Sequence, residues 1–463
     1  MRSHRRRWLL AVPVVMFLFT WTLTTHGKYS ASGDEPHYLM VAESLVTDHD
    51  LDVGNNYARN DGRLFGHDHL DMGLHAARSR TGRVLSIHDV GLAVALAPAY
   101  AVARTVAQYP SEALLKRFRM DRGLFAYSLV GLFLIAATAF GFTLLAAALS
   151  GLDHPGRVAA LVIAIGISPP IVSHAFLVFP EVIALFVTCV VVWFSLKPAG
   201  TADRTVLLGL LLLLGVLPWA HHKYLVYAPG LLFVIARTRW ALIRTLSPAT
   251  IAACVLLFVG PQLALQVWTW RAWGTFGGAL TTQGVPFSLE SLQRGLVGLW
   301  IDRQSGLLAY APLYWIVPAC WWLTWKRTWA YLVPLLLLYL PAAAFVIGWW
   351  AGFAPAARYL VPSVPLLLVP VVMALRYRAV RLAILVVLVP QGLIDAVIWQ
   401  HPRWLWPAPD GNLALHSLGL FGRAYAHALV GVQSGESMFA TIWIGAAAAV
   451  GSAIVAGCAM KEQ

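Results

Sequence analysis

The residues of this chain that can do chemistry are few and grouped. Gly33-Asp34-Glu35-Pro36-His37-Tyr38 sets two carboxylates and an imidazole side by side, just beyond the first hydrophobic run. Farther along stand Glu181 behind Phe179-Pro180, the stretch His221-His222-Lys223, and Arg358 before Tyr359. A carboxylate serves as a general base or a metal ligand, and clustered cations suit a phosphate. Together at a membrane surface they fit transfer of a group from a lipid-phosphate donor to a hydroxyl. Asp34 and Glu35 then offer a general base or a metal ligand, Glu181 offers a second carboxylate, and His221, His222, Lys223 and Arg358 are cations suited to the donor phosphate. His67, His69, Asp71 and His75 also have metal-ligand spacing, although loop histidines are more often not ligands. Each group has a structural alternative: Asp34 as a helix N-cap, Glu181 at a helix start facing the macrodipole, His221 to Lys223 as an interfacial turn, and Arg358 snorkelling to headgroups.

The elements that must position these groups are set by composition. At 463 residues, with 59% hydrophobic and only 12% charged residues, the chain is too apolar for a soluble protein. Its mean hydropathy of +0.69 agrees. The net charge of +13 does not point to nucleic acid, because the basic residues form short clusters between apolar runs, as topology signals do. Cys189, Cys254, Cys320 and Cys458 lie inside apolar runs and read as buried thiols rather than disulfides or a zinc site. The tryptophans at Trp349-Trp350 and Trp404/Trp406 read as an interfacial belt.

Charge also sets the expected topology. Arg2, Arg5, Arg6 and Arg7 precede the run from Trp8 to Thr25, which puts the N-terminus in the cytoplasm and Asp34 outside, whether that run is an uncleaved helix or a signal peptide. Residues 26–122 form a long first extracytoplasmic loop. Within it, Glu35 to Val46 has helical spacing, with Pro36 in the first turn and Asp34 near the cap, and reads as an amphipathic helix on the membrane surface. The apolar segment 88–108 contains Pro98 and Arg104. If it crosses, the clusters Lys197/Arg204, Arg237/Arg239/Arg244, Lys326/Arg327, Arg376/Arg378/Arg381 and Lys461 all fall outside. If it lies in the interface, only Lys116, Arg117, Arg119 and Arg122 do, where they can attract anionic headgroups or carrier phosphate.

The interfacial choice gives spans near 8–25, 123–149, 158–178, 182–196, 205–217, 225–236, 249–267, 308–325, 329–347, 359–375, 382–399 and 438–460. The expected fold is thus an all-α, polytopic membrane protein of about 12 helices (11–13), one integral domain over 1–463, whose helical bundle occupies 123–463. The polar inventory is read as lying outside the spans and on the outer face. No Gly-x-x-x-x-Gly-Lys-Ser/Thr or dinucleotide glycine pattern suggests a nucleotide site.

This layout resembles the GT-C superfamily of integral membrane glycosyltransferases, in particular bacterial relatives of the protein O-mannosyltransferases and the lipid A aminoarabinose transferases. The resemblance rests on a single first helix, an Asp-Glu pair just outside it, a long first loop and a carboxylate at the outer end of the third span. In sequence it is carried by Gly33-Asp-Glu-Pro-His-Tyr-Leu39, Phe179-Pro-Glu-Val182, Asp302-Arg-Gln-Ser-Gly-Leu-Leu-Ala-Tyr-Ala-Pro312 and Ala357-Arg-Tyr-Leu-Val-Pro362. The resemblance implies a non-spanning hydrophobic segment in the first loop and inverting transfer from a polyprenyl-phosphate sugar at the outer face of a bacterial plasma membrane, with Asp34 as base, Glu181 and Glu35 to orient the acceptor or hold a divalent cation, and His221, His222, Lys223 and Arg358 to stabilise the leaving phosphate. A large C-terminal soluble domain of the oligosaccharyltransferase kind is lacking, which disfavours peptide-sequon glycosylation.

His37, Tyr38, Arg303 and Tyr359, beside these segments, and His88, at the head of the apolar stretch, are further candidates for substrate binding. The partners implied are a polyprenyl-phosphate sugar, a glycan, glycolipid or protein acceptor, and the bilayer, but no nucleic acid. No cofactor is required that the sequence shows, and a divalent cation, Mg or Mn, can be accommodated. The alternatives are a multi-span transporter or flippase of a lipid-linked saccharide, and a lipid phosphotransferase or phosphatase. The topology has a direct check. Cysteines placed one at a time between residues 108 and 122 are expected to react with an impermeant maleimide added outside; reaction only after permeabilisation overturns the scheme.

Overall fold

The computed structural model describes residues 2–27, 29, 31–276, 288–344, 348–406 and 411–433, together with 451, 453 and 457. The chain is 74% helix and 2% strand. Among the described residues, six helices are long and apolar enough to cross a bilayer: Arg7–Thr25, Arg122–Leu149, Asp203–Ala220, Pro248–Trp273, the run Pro312–Ala344, and Arg378–Gln400. These are compatible with a membrane protein. Pro155–Gly166, Pro180–Leu196 and Tyr224–Thr238 are apolar but shorter. Of the span drawn at 438–460, only residues 451, 453 and 457 are described, and the rest lies outside the described residues.

Burial sorts the long helices by position. Arg122–Leu149 packs between the first helix and Pro180–Leu196 and buries most of its circumference, leaving one stripe at Phe133, Ala136 and Phe140 exposed. Pro248–Trp273 packs on Asp203–Ala220 and otherwise leaves Leu256 and Leu263 exposed, as expected of a helix that faces lipid. Close approach of this pair depends on Gly215, where a Cβ would lie 2.4 Å from the Leu257 carbonyl oxygen. Two expected spans are broken. The segment 158–178 ends its helix at Gly166, because Ser168-Pro169-Pro170 removes two backbone donors in succession. In 308–325, Pro312 separates Leu307–Tyr310 from a 3-10 turn that leads into Val317–Thr328.

The first loop differs most from expectation. It holds an antiparallel hairpin, Ala76–Arg78 against Val84–Ser86, so the fold is not purely helical. The helix Glu35–Thr47 is also not a surface helix. Every residue from Glu35 to Ser44 is buried, because the helix is wedged between neighbours rather than laid on an interface. Gly91–Val106 packs along it, held by Tyr100 and Arg104, which both donate to the buried Glu43. With 16 residues, Gly91–Val106 is about 24 Å long, short of the roughly 30 Å of a hydrocarbon core.

Several basic residues taken as topology signals have local partners. Lys197 and Arg239 pair with Asp203, and Arg239 also donates to the carbonyls of Phe194 and Lys197. Arg122 binds Glu112 and the carbonyls of Ala107 and Gln108, whereas Lys116, Arg117 and Arg119 are exposed. Such pairing weakens the bias toward one side that an isolated cation exerts.

Two left-handed residues aim the chain at the candidate site. Gly33 has φ +57, and a Cβ there would lie 2.9 Å from the Phe353 carbonyl oxygen. Ala357, just before Arg358, has φ 60 with a side chain present. Its N–H donates to the Ser305 carbonyl at 3.0 Å, in a loop organised by Asp302, which accepts from the backbone of Gln304, Ser305 and Gln433. Thermal unfolding in detergent is expected to separate these positions. Gly33→Ala should lower the midpoint, at a cost of about 1–3 kcal/mol, while Ala357→Gly should leave it unchanged or raise it through about 1 kcal/mol of relieved strain.

Candidate functional site

Asp34, Glu181, Lys223 and Arg358 meet although they come from four distant stretches. The guanidinium of Arg358 is the centre: Nη1 donates to Asp34 Oδ2 at 3.0 Å and Nε to Glu181 Oε1 at 2.9 Å. Lys223 Nζ donates to the same oxygen of Glu181. The charges therefore alternate along a chain Asp34–Arg358–Glu181–Lys223. Aromatic faces hold the cations in place: the Phe179 ring lies 3.9 Å from the Arg358 guanidinium carbon, and the Tyr359 ring 4.8 Å from Lys223 Nζ.

Exposure orders the four by what they can touch. The Asp34 side chain keeps 29% of its accessibility, Lys223 13%, Arg358 7% and Glu181 none. A molecule arriving at the site meets Asp34 and the rims of the two cations. Glu181, expected to orient an acceptor, is covered by Lys223 and Arg358 and instead fixes them. Its Oε2 is buried without a partner.

Asp34 does occupy the N-cap position of Glu35–Thr47, but its side chain makes no capping bond. The carboxylate turns to Arg358 instead. Burial is the largest influence and opposes its ionisation, yet the charge and hydrogen bond of Arg358, together with His88 and His75, outweigh it and hold the carboxyl at about 2. Lys223 is held below the usual lysine value, by burial first, against the pull of Glu181.

Glu35 faces elsewhere. Oε1 accepts from Tyr127 Oη and Val178 N–H, each at 2.8 Å, and Oε2 from Ser32 N–H at 2.9 Å. With both oxygens committed, it ties the start of Glu35–Thr47 to two other parts of the fold and has no reach to an acceptor or cation. Burial pushes its carboxyl up to about 7 even against these donors.

The other candidates divide. His222 is tied to Asp89, which accepts from its N–H at 2.7 Å and also bonds Nδ1, so it is a strut between the first loop and the turn after Asp203–Ala220. His221 accepts from the Lys223 N–H at 3.2 Å. Arg303 does not join the site: Nε donates to the Ala426 carbonyl at 2.8 Å and Nη2 to that of Leu429 at 3.1 Å, which caps the end of the helix Gly419–Ala428. Tyr38 is buried against His88, with ring centroids 5.0 Å apart.

Histidines form a second cluster against Asp34. His37 stacks on His75 with centroids 3.6 Å apart, and His75 Nδ1 meets His88 Nε2 at 2.9 Å. Asp34, His75 and His88 each offer a donor atom within 4.8 Å of the others. Burial pushes His37 down to about 3 and His88 to about 4, and lowers His75 as well, so all three rings are neutral at pH 7. The loop set His67, His69, Asp71 and His75 does not assemble: His67 Nε2 contacts the Ala31 carbonyl and His69 is 87% exposed. The hairpin explains the substitution of His88, since its register, Ala76 opposite Ser86, brings the residues flanking its open end together. The legible signal was Ser79-Arg80-Thr81-Gly82, whose Gly82 turns at φ +84.

The division of labour between the two acids is measurable. Glu35→Ala strands the buried Tyr127 hydroxyl and Val178 N–H and is expected to destabilise the protein by about 2–3 kcal/mol in chemical denaturation, while Asp34→Asn, isosteric, half-buried and able to accept from Arg358, changes stability less. The reverse order would overturn the assignment of Glu35 as a tie. Compared with models of protein families, with curated proteins and with solved structures, the chain matches none.

Proposed function

We propose that this chain is a membrane glycosyltransferase of GT-C-like architecture, with about twelve spans and its site on the outer face of a bacterial plasma membrane. It moves a sugar from a polyprenyl-phosphate donor to a hydroxyl of a glycan, glycolipid or protein. The observation that carries the reading is the alternating chain Asp34–Arg358–Glu181–Lys223, in which the carboxylate is the most accessible member and two cations stand behind it. The short, Pro98-containing Gly91–Val106 helix supports an interfacial rather than a crossing first-loop segment.

In this mechanism the acceptor oxygen attacks the anomeric carbon and forms the new C–O bond. The bond from that carbon to the phosphate oxygen breaks, and the phosphate leaves with the electron pair. The hydroxyl proton passes to Asp34. Arg358 and Lys223 stabilise the charge that gathers on the phosphate, where fixed cations in a partly dry site act most strongly. Arg358 also links the two halves of the reaction. With no donor it pairs with Asp34 and keeps that carboxylate a weak base. A phosphate that draws the guanidinium away restores basicity to Asp34 when a sugar is ready to be transferred.

A transporter of lipid-linked saccharides is the second reading, and one observation favours it. Asp395 stands within the apolar helix Arg378–Gln400, bonded to Ser168 at 2.7 Å and Gln391 at 2.9 Å, so the polar inventory is not confined to the loops. Purified protein supplied with polyprenyl-phosphate sugars and candidate acceptors decides between the two. Glycosidic product is expected from wild type, falling about a hundredfold or more in Asp34→Asn. Full transfer by the variant removes Asp34 as base, and lipid-carrier translocation with no glycosidic product removes the enzyme.

A further inference from the structure

We propose that Asp34, His75 and His88 bind a divalent transition-metal ion, with zinc the best match to their donor set. Two imidazoles and one carboxylate are a recurrent protein contribution to an open zinc site, which leaves a fourth position for water or a substrate oxygen. Magnesium, which takes oxygen donors, fits poorly.

The geometry is that of ligands already gathered. The facing nitrogens of His75 and His88 are 2.9 Å apart, close to the roughly 3.3 Å between two nitrogens on one tetrahedral zinc at 2.0–2.1 Å each. One of them carries the proton of that contact. Moving this proton to the other nitrogen of the same ring frees a second lone pair toward the ion. Arg358 already holds Oδ2 of Asp34, which leaves Oδ1 for the metal.

The surroundings fix the rings before any ion arrives. His37 lies flat on His75 with 8° between the planes, and its own Nδ1 is bonded to Tyr57 Oη at 2.6 Å. The His88 ring is backed by Tyr38, and the His88 backbone N–H donates to Ser86 Oγ at 3.1 Å. This packing limits rotation of the two rings and so lowers the ordering cost of holding an ion. Arg358 acts in the opposite sense, since its charge repels the ion and limits affinity.

With Arg358 on Oδ2 and the ion on Oδ1, Asp34 has no oxygen left for the acceptor proton, so a bound ion excludes the base role proposed above, and the site is tested by metal binding alone. Full-length protein in detergent, stripped with chelator, is titrated with zinc against a fluorescent competitor and loaded with cobalt for visible spectroscopy. One equivalent should bind, raise the thermal midpoint and give intense d–d bands. His75→Ala should weaken zinc at least tenfold and abolish the thermal shift, whereas His69→Ala, which removes an exposed histidine, should change neither. Failure of the wild type to bind one equivalent, or an equal loss in His69→Ala, overturns the site. If His75→Ala is itself unstable without metal, His88→Gln replaces it, and wild-type zinc affinity in that variant is equally fatal. Sugar transfer is not read in any arm, so the two proposals fail separately.

Discussion

One guanidinium holds the centre of this protein together. Arg358 bonds Asp34 on one side and Glu181 on the other, and it lies against the ring of Phe179. Through it the first loop and the start of the helix Pro180–Leu196 are fixed to each other and, by way of Glu181, to Lys223. A buried arginine is tolerable only when its charge is matched and its donors are used, and here two carboxylates and an aromatic face supply both. The left-handed Ala357, anchored to the loop around Asp302, delivers it there.

That arrangement changes what the cations offer. Four separate charges spread over an outer face would be a general attractor for anions. Alternated and in contact, they form a nearly neutral set, so a phosphate must compete with carboxylates already in place. Such a site rewards a ligand that replaces an existing bond with a better one. Asp34, with the most exposed side chain of the four, is the partner that can be exchanged, while Glu181 cannot leave without stranding Lys223 and Arg358 together.

The adjacent acids Asp34 and Glu35 illustrate how one residue step separates function from structure. At the start of a helix, neighbouring side chains point about 100° apart. One carboxylate reaches Arg358 and the histidines, while the next enters the interior and is consumed by Ser32, Tyr127 and Val178. The histidine cluster has a similar logic, since a hairpin, not a helix, sets His75 beside His88.

The sequence by itself determined the helical class, because long apolar runs of this composition can satisfy their backbone in few other ways. It also singled out Asp34, Glu181, Lys223 and Arg358, because charge is scarce in such a chain and each remaining charge stands out. It could not show that Glu35 would bind Tyr127 and Val178, foresee that Arg303 would close a helix end, or see that Asp89 would hold His222. Those outcomes depend on which segments become neighbours, and partners 92 to 324 residues apart leave no periodicity to read. The breaks near Pro169-Pro170 and Pro312 were written in the prolines and were legible. The burial of Glu35–Thr47 was not, since its pattern fits a membrane surface as well as a wedge between helices, and only the packing of Gly91–Val106 and Arg122–Leu149 around it decided which solvent each face would meet.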